Sequence, residues 1–467
     1  MSELNLLRVP SESIGYGRLG MNLSRALEAM GVDVYDHLPE PVEVPGPDLE
    51  HLAHLNAGTR GKICRVVCWV SVPTHARGWW KGQYPVMFTM WEATTLPPSF
   101  RETMHEFPLM VVPSLQNVEL FSQYHPNVAY VPLGVDPAVW HYTPRPVPGR
   151  FFDFLIGGAG RRKGTDLAYT AFRRLWGTHG SWPAEGPVPR LVMKNPRGED
   201  FYGDRIEMIT GRISAEAEVA LYASAHCYLQ PSRGEGFGLQ PLQALAQGCP
   251  TILTAAHGHA AFAHLGYGLS STPAKSDYFI YGDAGEWWEP SLDELCDRMR
   301  WVYDHYDEAL IDGMVAAECV AERFTWANTA RAFVAAVGVD RLDEDGPTRR
   351  EWYEPTLQRF KVITNRDWKC EVAGAAYQFR QGAEAWVVAD VKRILYEGQL
   401  LDPACLEIIG PNGETDMDIG LLPEQVARLE GYVERHAHCA LCGQKLNERP
   451  TRADQIYEEL QHDHARQ

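Results

Sequence analysis

The sequence predicts an α/β protein of two consecutive β-loop-α-β series with a smaller extension behind them. Three observations carry that prediction. Residues 4–9 (Leu-Asn-Leu-Leu-Arg-Val) read as a strand, and a loop and an amphipathic helix with Leu19, Leu23, Ala26, Leu27 and Met30 on one face follow. A second series opens at Phe151, directly behind a connector carrying Pro137, Pro144, Pro146 and Pro148. Beyond Gly346-Pro347 the pattern changes again, to short strand-like runs without helices between them. The divisions are therefore 1–145 and 146–338 for two α/β domains, 339–351 for an acidic linker, 352–410 for a small β module and 411–467 for a helical tail.

Composition bounds the function. The chain has 467 residues, 45% apolar and 22% charged, as globular proteins do, and its length calls for at least two domains. A formal net charge of −18 argues against a nucleic-acid partner and against a polybasic membrane anchor. No run of 18 apolar residues occurs, and no basic-then-apolar leader is visible, so the reading is cytoplasmic with no integral membrane segment. Trp79-Trp80-Lys81 is the best candidate for a local membrane-facing patch, with a partly buried aromatic pair as the simpler alternative. Ten scattered cysteines read as reduced thiols rather than a disulfide framework.

In the first domain Gly15-Tyr16-Gly17 is placed in the loop after the first strand, where α/β proteins hold ligands. Gly31 closes the helix before the strand 32–34, and further strands are expected at 63–72, 86–90 and 109–112. The third of these four ends in Met90-Trp91-Glu92-Ala93. Glu92 then either holds a substrate group in a cleft or caps the next helix.

The second domain opens with a strand at 151–156, followed by Gly157-Gly158-Ala159-Gly160-Arg161-Arg162-Lys163-Gly164 and a helix from Asp166. Glycines followed by three cations at a helix start suit a diphosphate; a solvated basic turn is the alternative. The strand at 191–194 ends on Lys194, which would add to the same positive pocket. Ser214 is expected to cap a helix running to Ala225. Then comes the most informative stretch: Pro231-Ser232-Arg233-Gly234-Glu235-Gly236-Phe237-Gly238-Leu239-Gln240-Pro241-Leu242-Gln243, with a helix ending at Gly248. A strand, a Gly-rich turn and a helix bring backbone N–H groups and the positive end of a helix dipole to one spot. Such a spot suits a phosphorylated or polyhydroxylated ligand, and Glu235 can orient hydroxyls there. Further on, His257, His259 and His264 read as exposed loop histidines rather than metal ligands, since no carboxylate stands at ligand spacing.

This stretch closely resembles the donor-sugar loop of the retaining glycosyltransferases of family 4, whose GT-B fold sets two Rossmann-like domains face to face across a cleft. That loop has Pro-Ser, a variable pair, Glu-Gly-Phe-Gly-Leu-Pro and a second Glu eight residues after the first. Glu235, Gly236, Phe237, Gly238 and Leu239 match; Gln240 departs from the Pro, and Gln243 stands where the second Glu belongs. An amide oxygen still accepts a hydrogen bond, so the ribose role passes to Gln243. Lys163-Gly164 matches the family's phosphate-binding Lys-Gly, but the usual Arg position falls on Gly158, leaving Arg161 or Arg162 to substitute. The Gly15-x-Gly17 loop and the aromatic-Glu92 pair resemble the family's first-domain loops, and residues 324–330 resemble the helix that crosses back to the first domain. The resemblance spans residues 4–338.

What it implies is transfer of a sugar, with retention, from a UDP- or GDP-sugar to an unknown glycan, protein or lipid acceptor, with no catalytic metal. Glu235, Lys163, Arg162 and Glu92 would form the catalytic set. Gly15, Gly17, Arg161, Gly236, Phe237, Gly238, Leu239 and Gln243 would bind the donor. Two rival readings are a non-catalytic sugar- or nucleotide-binding scaffold, which Gln243 would favour, and a DNA-glucosylating enzyme, which the charge disfavours.

The tail is separate. Cys439-Ala-Leu-Cys442-Gly has zinc-knuckle spacing, and His462 and His464 lie behind a short helix, with His436 and His438 as competing ligands. A structural zinc is expected there, and a protein partner is the default role for the extension.

Overall fold

The computed structural model describes residues 2–8, 15–35, 62–76, 78–177, 186–194, 201–211, 213–277 and 284–348, and short strands beyond them. The chain divides into two compact units, and the first holds residues 1–37 and 59–354.

Within that unit the first sheet is formed by β1 (Glu3–Arg8), β2 (Asp33–Tyr35), β3 (Val66–Val70), β5 (Tyr84–Phe88), β6 (Leu109–Val112) and β7 (Val128–Tyr130), with a two-residue β4 (Trp79–Trp80) outside it. Their order is β2-β1-β3-β5-β6-β7, all parallel. Continuous apolar runs such as Val66–Val70, buried at every position, suit strands covered on both faces. The helix Gly15–Ala29 lies on the sheet through Leu19, Leu23 and Leu27. Gly20 lets it approach, because a β-carbon there would stand 2.6 Å from that of Arg8.

The second sheet contains β8 (Phe151–Gly157), β9 (Val188–Lys194), β10 (Ile206–Ile209), β11 (Cys227–Gln230), β12 (Thr251–Thr254) and β13 (Tyr267–Leu269). It is also parallel, ordered β10-β9-β8-β11-β12-β13. The chain reverses direction of growth between β8 and β11, and a crevice opens at the carboxyl ends of strands at such a point. The antiparallel hairpin β14 (Ser271–Lys275) and β15 (Glu286–Pro290) follows.

The helix Trp326–Val337 returns to the first sheet. Phe333 stacks on Phe88 with ring centroids 6.2 Å apart, and Thr329 Oγ1 donates to the Pro132 carbonyl at 2.8 Å. Its entry is tight: Val135 bridges Thr325, and a β-carbon at Gly134 would lie 2.2 Å from the Thr325 carbonyl carbon. One apolar core therefore runs from Leu23 and Phe88 through Val135 to Leu242 and Ala246. A second fills the far face of the second sheet around Phe152, Phe172 and Met299.

After the return helix the chain stays on the first domain. Arg65 pairs with Glu344 at 2.7 Å, and β16 (Trp352–Tyr353) pairs antiparallel with β4. Trp79 is buried in that pairing region and Trp80 is half-buried, which fits the aromatic-pair alternative better than a membrane-facing patch. Among the described residues no helix is long and apolar enough to cross a membrane. The described cysteines, Cys64, Cys68, Cys227, Cys249, Cys296 and Cys319, are all free thiols. In the second unit β17 (Arg359–Thr364) pairs antiparallel with β20 (Glu384–Val388) and β21 (Leu406–Ile409), and β18 (Trp368–Val372) with β19 (Ala375–Phe379).

Candidate active site

The site is built where the second sheet reverses. β8 and β11 are neighbours, with Leu229 beside Ile156, so the loops that leave their carboxyl ends lie side by side. The β8 loop forms one 3-10 turn, Arg161–Lys163, before the helix Thr165–Trp176; the β11 loop leads into the helix Leu239–Ala246. Both helices start at a left-handed glycine, Gly164 (φ +74°) and Gly238 (φ +105°), and among the described residues no side chain caps the first N–H groups of either. Two uncapped positive helix ends thus converge, as anion sites require. Gly164 is obligatory there, since a β-carbon would stand 1.9 Å from the Pro231 carbonyl oxygen.

Across this junction Lys163 Nζ lies 2.6 Å from Glu235 Oε1 and Arg162 Nη1 lies 3.5 Å from Glu235 Oε2. Arg162 also donates to the Gly234 carbonyl at 2.6 Å. Gly158 gives the lysine its path: a β-carbon there would lie 2.9 Å from Lys163 Cγ. From below, Tyr228 donates to Gln230 Oε1 at 2.9 Å, and Gln230 donates to the Lys163 carbonyl at 3.2 Å. Arg161, half exposed, stands 4.0 Å from Glu289.

The first domain supplies the opposite wall. Glu92 follows β5, and its carboxylate is 3.9 Å from Arg162 Nη1. Asn117 fixes this strand end, accepting from the Trp91 N–H and donating to the Trp91 carbonyl, both at 2.8 Å. Tyr16 Oη donates to the Met90 carbonyl at 2.9 Å and lies 3.1 Å from Thr89 Oγ1. The two walls meet with no room to spare. A β-carbon at Gly234 would be 2.1 Å from the Glu92 carbonyl oxygen, and one at Gly236 would be 2.5 Å from Met90 Cγ.

Electrostatics separates the two carboxylates. Burial works against the Glu235 charge, but Lys163 and Arg162 together outweigh it and hold the carboxyl down at about 2. Glu235 is therefore ionised at neutral pH and can only accept hydrogen bonds. Burial raises Glu92, which Arg162 only partly offsets. Burial likewise lowers the Lys163 ammonium, opposed by Glu235.

Several expectations need correction. Gly15 and Gly17 are not in a loop; they form the first turn of the helix Gly15–Ala29, because the apolar stripe that docks on the sheet extends the helix back to them. Tyr16 between them is the residue that touches the site wall. Lys194 does not join the positive pocket. It pairs with Glu218, as does Arg18 of the first domain at 2.6 Å. His257 and His259 are buried, not exposed, whereas His264 is exposed. His257 lies under the Glu235 loop with Nε2 3.1 Å from the Ser232 carbonyl oxygen, and burial pushes its imidazole down to about 4. His259 sits beneath Gly238, where a β-carbon would be 2.5 Å from its Nε2. Both rings support the Glu235 loop from beneath and are neutral at pH 7.

Phe237 is buried against Phe262, centroids 5.4 Å apart, so only its backbone is available to a ligand. Gln243 is buried on the helix Leu239–Ala246, and its Oε1 has no partner among the described residues. That is an acceptor left open for a hydroxyl. Sequence reasoning missed Asn117, Tyr16 and Gln230, whose roles lie in contacts across distant segments. Cys439, Cys442, His462 and His464 lie outside the described residues, as do His436 and His438; among the described residues no cluster of His, Cys, Asp and Glu could hold a metal ion.

Two parallel six-stranded sheets, with the candidate site at the switch point of the second, match the GT-B fold. Residues 115–333 match the family described as "Family 4 Glycosyltransferase in conflict systems". That match covers somewhat less than half of the chain and spans both the Lys163 and the Glu235 loops. Among solved structures it is similar to sucrose-phosphate synthase from Thermosynechococcus elongatus, at 14% identity over 72% of this chain and 98% of that one, TM-score 0.52. It is also similar to HepE of Anabaena in complex with UDP-glucose, at 12% identity over 72% of this chain and 99% of that one, TM-score 0.50. No curated protein matches the sequence.

Proposed function

We propose that the protein transfers a sugar, with retention of anomeric configuration, from a UDP- or GDP-sugar to a glycan, protein or lipid acceptor. The observation that carries this reading is the convergence of Lys163, Arg162 and Glu235 at two uncapped helix N-termini. The diphosphate would lie against Lys163, Arg162 and the more exposed Arg161, with the amides around Gly236, Gly238 and Leu239 adding donors. Gln243 would accept from the ribose through its open Oε1. Glu235, held ionised, would accept from donor-sugar hydroxyls, and Glu92 would face the sugar or its acceptor from the other wall.

In the reaction the bond from the anomeric carbon to the phosphate oxygen breaks, and its electron pair leaves on the diphosphate. The acceptor oxygen bonds to the same carbon, and its proton passes to the departing phosphate oxygen on the same face. Negative charge grows on the diphosphate, and Lys163 and Arg162 stand where they would stabilise it. No metal is needed for that. The fold neighbour that holds UDP-glucose supports the donor class.

The test is a screen of UDP- and GDP-sugars for nucleoside diphosphate release, with Lys163→Ala beside the wild type. Loss of one charge-stabilising donor should cut turnover about a hundredfold. Near-normal turnover in a folded Lys163→Ala protein overturns the assignment. Donor binding with no release under any acceptor would instead support the scaffold reading.

A further inference from the structure

Arg233 fills one of the two variable places between Ser232 and Glu235, and every N–H of its guanidinium is engaged. Its side chain is only 3% exposed. Nε and Nη2 donate to the two oxygens of Glu289 at 2.5 and 2.7 Å, while Nη1 and Nη2 donate to the two oxygens of Asp166, both at 2.8 Å. Nη1 also donates to the Arg161 carbonyl, and the Arg233 backbone N–H donates to the Arg162 carbonyl at 2.7 Å. The Arg233 carbonyl in turn accepts from the Trp288 N–H at 2.9 Å.

These contacts join three segments. Asp166 lies in the first turn of the helix Thr165–Trp176, three residues past Lys163. Glu289 and Trp288 belong to the hairpin strand β15. That hairpin is itself pinned to the first domain, where the Thr94 N–H donates to the Glu286 carbonyl at 3.1 Å and the Glu286 N–H to Thr94 Oγ1 at 2.7 Å. The guanidinium's charge is matched by two carboxylates, which leaves Arg233 no role as a phosphate ligand. Its planar fork makes two bidentate pairs at once, which a lysine ammonium cannot reproduce.

We propose that Arg233 is the positioning residue of the donor site, clamping the Arg161–Lys163 turn against the Glu235 loop so that its cations meet a diphosphate in one fixed arrangement. This rests on the donor-site reading above. Arg233 holds the turn by its backbone carbonyls and its helix by Asp166, while Glu289 anchors the clamp to the hairpin.

The test compares binding of UDP with UMP, and of GDP with GMP, by calorimetry on the full chain. The variants are Arg233→Lys, Glu289→Gln and Lys163→Ala. Arg233→Lys should weaken the nucleoside diphosphate about tenfold or more while leaving the monophosphate within twofold. Glu289→Gln, which keeps the Asp166 arm and guards against a misfolded lysine variant, should lose less of the same preference. A merely structural role would lower melting temperature or weaken both nucleotides equally, and either result without loss of the diphosphate preference overturns the clamp. If Lys163→Ala keeps the preference, or the wild type binds neither diphosphate, the donor-site reading itself falls. Loss of the preference in Lys163→Ala but not in Arg233→Lys or Glu289→Gln refutes the clamp alone.

Discussion

Replacing Glu235 with Gln gives a direct measure of the site's electrostatics. The amide has the shape of the protonated carboxyl, so the variant reports what ionisation contributes. The group's pKa falls from 4.5 to about 2 on folding, because Lys163 at 2.6 Å and Arg162 at 3.5 Å more than offset its burial. A drop of that size corresponds to about 3 kcal/mol at pH 7. A depressed carboxyl stabilises the fold above its unfolded pKa and loses that contribution as pH falls through the folded one. The wild-type advantage should therefore be full at pH 7, cut to less than half at pH 3, and gone below pH 2. Urea midpoints followed by tryptophan fluorescence, at pH 7 and pH 3, measure it. The same substitution should abolish transfer yet leave nucleoside diphosphate binding no weaker, since Lys163 and Arg162 lose a competing anion. A stability difference that is absent at pH 7, or unchanged from pH 7 to pH 3, refutes the electrostatic reasoning.

Gly234→Ala should lower transfer more than about tenfold and stability by about 1–3 kcal/mol, because a methyl 2.1 Å from the Glu92 carbonyl oxygen forces the two walls apart. Coupled product assays and thermal melts check both. Asn117→Ala leaves the Trp91 N–H and carbonyl without their partner, and should cost about 2–4 kcal/mol in chemical denaturation. His257, buried and neutral with its imidazole at about 4, makes the wild type lose stability as pH falls from 6.5 toward 4. His257→Gln should flatten that part of the stability–pH curve. Purified protein should hold about one zinc per chain, and Cys439→Ser should remove it while sparing transfer; elemental analysis decides.

The sequence by itself determined what is local. The strand-loop-helix turns around Lys163 and Glu235 are legible because glycine at a left-handed helix start and an apolar strand before it sit next to each other in the chain. The return helix is legible only through the resemblance of residues 324–330 to a known crossing helix; its Thr325 cap and buried face are seen in the structure. The tertiary structure decided everything that depends on which segments come together. Residues 72 positions apart meet as Lys163 and Glu235 only because β8 and β11 pair across the reversal of the sheet. His257 and His259 resemble loop histidines until the loop from Ser232 to Gly238 covers them. Lys194, at the end of β9 beside β8, turns to Glu218 instead of the Arg161–Lys163 turn, since the nearest buried carboxylate sets where a buried ammonium goes. Arg233 carries no local signal at all, because its two partners arrive from a helix and a hairpin on either side of it in sequence. Pattern specifies an element through neighbours in the chain, whereas charge pairing and close packing are settled by neighbours in space.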